Sequence, residues 1–144
     1  MTATIPSVAT LKSRLWSYLN ARTEITSAAT ISPTHPTATG DLTSTKGRIV
    51  ISQLYDTLEG TIVTRSLLAP TLQLACWGTS EPFATQLLER VVNALEQWTP
   101  ASFAMSGQKL ETIRRSRRTG PLFDSKVSLF VSSVDVTFKI STLI

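Results

Sequence analysis

Residues 71–98 read TLQLACWGTSEPFATQLLERVVNALEQW, and two different periods meet inside them. In the first part Leu72, Leu74 and Cys76 alternate with other residues, the pattern of a strand that lays one face on a core. Past Gly78 the period lengthens. Phe83, Leu87, Leu88, Val91, Val92 and Leu95 recur at helical spacings and form a broad apolar stripe. Thr79 or Ser80 is placed to cap that helix, Glu81 and Pro82 suit its first turn, and Pro100 supplies a stop. The stretch therefore predicts a strand, a short polar turn and an amphipathic helix. Pro70 falls at the strand's start, where a missing N–H costs least.

Working outward, GRIVISQLYD (47–56) has the β-branched density and alternation of a strand, and TIVTRSLL (61–68) reads as an edge piece. PSVATLKSRLWSYLNAR (6–22) is a first helix, with Ser7 as N-cap and Val8, Leu11, Leu15 and Leu19 on one stripe. Trp16 and Tyr18 flank the stripe and can meet either the core or a neighbour. Residues 23–46, rich in Thr, Ser and Ala and holding Pro33 and Pro36, show no clean period. They predict a long surface loop, or an arm that orders in an assembly.

Downstream, SFAMSGQKLETIRRSRRTG (102–120) reads as an extended segment with a turn at Gly107 and a break at Gly120–Pro121. In KVSLFVSSVDVTFKI (126–140) the apolar parity switches from Val127, Leu129 and Val131 to Val134, Val136, Phe138 and Ile140. A strand has period two, so the switch predicts a β-bulge or tight bend at Ser132–Ser133. The order is helix, loop, strands, helix, strands. That order predicts an α+β fold: one domain over 1–144, with a mixed or mainly antiparallel sheet and two main helices packed on one face.

Bulk properties narrow the function. The chain has 144 residues, 42% apolar and 17% charged, enough for one real core and poor in the charges that solubilise a lone surface. A net charge of +4 is mild for a nucleic-acid-coating protein. One cysteine excludes an intrachain disulfide, and Cys76 reads as a small core residue. No apolar run reaches the length of a membrane span, and the N-terminus lacks a signal-peptide pattern, so synthesis and folding in the cytoplasm are expected.

Catalytic groups are scarce. The lone histidine, His35, lies between prolines with no carboxylate near in sequence, a poor start for an oriented base. One Cys and one His cannot build a zinc tetrahedron, and no phosphate-cradling glycine motif occurs. The expectation is a non-enzyme with no cofactor, no metal and no catalytic residue.

The strand ending in Trp77, its polar turn and the helix that follows carry a resemblance. Preceded by LKSRLWSYL and GRIVISQLY and followed by the late strand DVTFKI, this block resembles the tail terminator (tail-completion, minor tail protein U-like) family of long-tailed bacteriophages and gene transfer agents. The resemblance runs from about Leu11 to Ile140; residues 23–46 match nothing diagnostic in it. It implies a virion subunit forming a hexameric ring at the head-proximal end of the tail tube, stopping tube polymerisation and docking the neck of the filled head. It also implies tail tube and neck or head-completion proteins as partners, and genome DNA passing the channel without sequence-specific binding. Another head–tail joining or tube subunit shares the same economy of sequence. A small basic nucleic-acid-binding module, using an arginine run beside Phe103 or Phe123, is the alternative from a different class.

That run, ETIRRSRRTG (111–120), places Arg114, Arg115, Arg117 and Arg118 within five positions. In a regular strand Arg115 and Arg117 share one face and Arg114 and Arg118 the other; at a hairpin tip all four fan outward. Three fates compete: a solvated surface, a contact with partner carboxylates, and direct phosphate contact. These four arginines, with Trp16 and His35, are the candidate partner-interface residues.

Overall fold

The computed structural model describes residues 8–55, 58–62, 65–98 and 108–143. The elements run α1 (Val8–Asn20), α2 (Thr23–Thr26), β1 (Ala29–Ser32), β2 (Gly47–Tyr55), β3 (Leu58–Ile62), β4 (Arg65–Leu68), β5 (Thr71–Gly78), α3 (Glu81–Glu96), β6 (Gln108–Asp124) and β7 (Leu129–Leu143). Ser7, Pro100, Phe103 and Gly107 lie outside the described residues.

The fold is α+β. Seven strands form one sheet in the order β1-β2-β5-β7-β4-β3, with β6 on the free side of β7. β1 is parallel to β2 and every other pairing is antiparallel, so the sheet is mixed and mainly antiparallel. β7 carries it: residues 130–137 pair with β5, residues 140–143 with β4, and its other edge with β6. Pro70 sits between β4 and β5, donates nothing, and accepts from the Phe138 amide at 3.0 Å.

α1 and α3 cover one face. Leu11, Leu15 and Leu19 of α1 and Leu87, Leu88, Val91 and Leu95 of α3 pack on Ile49, Ile51, Leu72, Leu74, Cys76, Val134, Val136 and Phe138. The predicted helical stripe and strand face therefore meet in one core. Ser80 is the N-cap of α3, its hydroxyl accepting from the Phe83 amide at 3.3 Å. A polar clasp ties the C-terminal ends of α1 and α3. The Tyr18 hydroxyl donates to the Ala94 carbonyl at 2.6 Å, Tyr18 stacks on Trp98 at 5.1 Å, and Arg22 donates to Gln97.

The opposite face holds a second, smaller core of Leu42, Val50, Ala75, Trp77 and Leu129, with Val127 and Val131 at its rim. This core explains the parity switch in β7 and corrects its first reading. β7 runs through Ser132–Ser133 in unbroken register with β5; the register shift at that level lies in β6, between Thr119 and Leu122. Leu129 and Val131 serve the small core while Val134, Val136 and Phe138 serve the large one. The pairing with β5 keeps its register; the apolar face changes because both faces are covered at different places.

What covers the second face is the Thr-rich segment. Within 23–46 the structure has α2, β1 and a 3₁₀ turn at Thr39–Asp41, a departure from the unbroken loop that its composition predicts. The Asp41 carboxylate accepts from the Thr37 and Ala38 amides at 2.9 and 3.3 Å, the Thr39 hydroxyl donates to the Val127 carbonyl at 2.5 Å, and Leu42 is buried. Polar anchors and the buried Leu42 hold the loop against the sheet, and Pro36 is buried on the same loop.

Candidate functional site

The arginine run lies in mid-strand. β6 continues past Gly120–Pro121 to Asp124, and the turn to β7 comes at residues 125–128, so the Gly-Pro pair is an irregularity within β6 and not its end. Gly120 adopts φ +101° in a cis-linked Gly120–Pro121 step, and a Cβ there would stand 2.6 Å from the Val131 carbonyl oxygen.

The register of β6 against β7 shifts between Arg115 and Arg117. That shift re-sorts the arginines. Arg114 pairs with Thr137 and Arg117 with Asp135, residues of the helix-free face, while Arg115 pairs with Val136 and Arg118 with Val134, residues of the helix-covered face. A regular strand would have grouped Arg115 with Arg117. Arg118 accordingly reaches α3, with its Nη2 3.8 Å from Glu89 Oε1, both side chains more than half exposed. Contacts of that kind contribute little to stability.

On the helix-free face, Ser52, Gln73, Asp135 and Arg117 form one cross-strand row, and Gln73 Nε2 donates to Asp135 Oδ1 at 3.3 Å. The next row joins Thr71, Thr137 and Arg114, with the Thr71 and Thr137 hydroxyls 2.9 Å apart. This polar half of the face lies beyond the small apolar core. It presents Arg114 and Arg117 to solvent, with Lys139 exposed nearby.

The other two candidates stand elsewhere. Trp16 is half-buried against the large core and lines a cleft of about 430 Å³ with Lys12, Ser13, Pro33 and Ile51. His35 is exposed on the loop of the second face, its ring edge-on to Trp77 at 5.8 Å. The structure therefore brings the arginines together along β6 and leaves Trp16 and His35 at separate places. Phe123, which the sequence offers only as a neighbour of the arginine run, is joined by Leu122, which sequence reading passed over: the two are 56% and 55% exposed near the end of β6, the large exposed apolar side chains among the described residues. Phe123 pairs across the strands with Phe130, rings 5.1 Å apart. Its signal was present in the hydrophobic pair that follows Gly-Pro.

Among the described residues no three His, Cys, Asp or Glu side chains gather where they could hold a metal ion. Burial pushes the Cys76 thiol far above its ordinary pKa, so it is a core residue without thiolate character. Among the described residues no helix is long and apolar enough to cross a membrane.

No family model matches the chain, and no curated protein matches it. Among solved structures, the fold is similar to a chain of the virion of a native gene transfer agent particle. The two share 14% identity at a TM-score of 0.61, over 97% of this chain and 100% of that one. At that identity, what the two chains have in common is the fold.

Proposed function

We propose that this chain is a virion structural protein of a tailed, phage-like particle. In this reading it forms a ring, hexameric as the tail terminator resemblance implies, at the head-proximal end of the tail tube. The ring ends tube polymerisation and joins tail to neck, with the tail tube protein and a neck or head-completion protein as partners. DNA passes through without sequence-specific contacts, and the work is done by shape, without catalysis or cofactor.

The observation that carries this reading is the end-to-end likeness in fold to a chain of a gene transfer agent virion. The surface agrees with it. Arg114, Arg117 and Arg118 are exposed, and Arg118 stands 3.8 Å from the exposed Glu89. Arginine forks suit bidentate pairing with a partner's carboxylates. Replacing Arg114, Arg115, Arg117 and Arg118 together by alanine tests it. The variant should fold and yet lower the yield of tails joined to heads; normal-length tails joined at normal yield would remove the interface assignment.

One feature favours a second reading. Arg114, Arg117 and Lys139 lie exposed toward one end of a sheet face, where they could follow a phosphate backbone. Asp135 sits within that group and weakens it. A salt-sensitive mobility shift of short DNA by the purified chain would favour the nucleic-acid module over the ring.

A further inference from the structure

We infer that the outer edge of β6 takes an added strand: an extended, acidic segment of a partner protein that pairs backbone to backbone along the arginine run. The inference rests on the partner-interface reading of the arginines given above and names the occupant's chemistry and geometry.

Among the described residues β6 pairs with β7 alone, so its other edge offers a row of backbone N–H and C=O groups to a further strand. Charge decides what that edge admits. Arg114, Arg117 and Arg118 are exposed along it, and Lys126 is exposed in the turn that follows. The nearby carboxylates do not reverse the sign: Asp124 accepts from the Lys126 amide at 2.9 Å, Asp135 accepts from Gln73, and Glu89 is 3.8 Å from Arg118. A second β6 laid two-fold across the run would set arginines against arginines, and like charges directly opposite destabilise a strand pair. An acidic strand turns the same row into cross-strand ion pairs, with arginine forks closing on carboxylates.

The register shift places the occupant in the plane of the sheet. It sets Arg114 and Arg117 at positions of the helix-free face and Arg118 at one of the helix-covered face. A phosphate backbone laid over one face meets only part of the run. An edge strand projects its side chains alternately to both faces, so its carboxylates reach both sets at once. Beyond the run Pro121 has no N–H to offer, and Leu122 and Phe123, exposed at successive positions, supply apolar contact there instead. The segment that fits is acidic along the arginines and apolar at one end.

Fluorescence anisotropy with the full chain tests this. The probe is a labelled, β-forming peptide rich in glutamate with a phenylalanine at one end. Its comparators are the same peptide with lysine for glutamate, two versions N-methylated on alternate amides of either parity, and a short DNA duplex. The acidic peptide should bind and the lysine version should not. One N-methylated version should bind about tenfold more weakly or worse, because methylation removes the pairing N–H and keeps the charge. Arg114→Glu, Arg117→Glu and Arg118→Glu together should weaken the acidic peptide by about tenfold or more, with thermal melting to check the fold. If that variant does not fold, the N-methylated peptides on the wild-type chain decide alone. No binding of the acidic peptide overturns the inference, as does equal binding of both N-methylated versions. Tighter binding of the duplex than of the peptide also overturns it, in favour of the nucleic-acid module. The chain's place in particles is scored separately. A chain at the tail–head junction that ignores the peptide keeps the ring and loses this docking; a chain that binds the peptide but sits elsewhere keeps the docking and loses the ring.

Discussion

Leu42 decides whether residues 33–46 belong to the folded domain or hang from it as an arm. Leu42 is 8% exposed and plugs the second core against Val50, Ala75, Trp77 and Leu129. Leu42→Ala would remove most of that plug. Buried Leu→Ala changes cost about 2–5 kcal/mol, and a small core open at its rim belongs near the lower end, about 2–3 kcal/mol. For a chain of this size each kcal/mol moves Tm by about 3 °C, so a loss of about 6–9 °C is expected. Gly40→Ala on the same loop is the control: nothing lies within 4 Å of the added Cβ, and the change should stay within about 0.5 kcal/mol. Urea denaturation with unchanged m, alongside thermal melting, gives both numbers. If Leu42→Ala costs no more than the Gly40→Ala control, the loop is not docked and the two-faced sheet fails with it.

Further predictions concern other parts of the molecule. Hydrogen bonds from the Thr37 and Ala38 amides hold the Asp41 carboxyl below the ordinary aspartate range. A depressed folded pKa stabilises above the unfolded value and loses that effect as pH falls through the folded one. Wild type should therefore be more stable than Asp41→Asn at neutral pH, with the gap closing in acid below the unfolded aspartate value; a pH-independent gap in chemical denaturation would contradict it. Gly78→Ala should destabilise by about 1–3 kcal/mol, because its Cβ would meet Phe83 Cδ1 at 2.7 Å and the Ala84 amide at 3.1 Å. Arg118→Ala should change stability by at most about 0.5 kcal/mol, since its partner Glu89 is 3.8 Å away and exposed. Cys76 should resist thiol reagents in the native protein and react in full once denaturant unfolds it.

The parts of the fold legible in the sequence were those whose pattern has one cause. The α3 stripe could only be a helix face, and Leu72, Leu74 and Cys76 could only be one face of a strand. The β7 pattern had two possible causes. A parity switch arises from an extra residue, or from a straight strand that serves different cores on its two faces, and sequence cannot separate them. β1 escaped because four residues are too few to show a period and its strand character comes from parallel pairing with β2. At the candidate site, composition exposed the arginine cluster, but its sorting between faces depends on a shift in register between Arg115 and Arg117 that leaves no mark in the letters. Gly120–Pro121 reads as a chain break, yet the long pairing with β7 carries β6 through it.

The most direct measurement of the account is the position of this chain in an intact particle, read by electron microscopy with a label fused to the subunit. The account predicts a single ring of label at the junction of tail and head. Label spread along the tail, label confined to the capsid, or particles that lack the chain would contradict it.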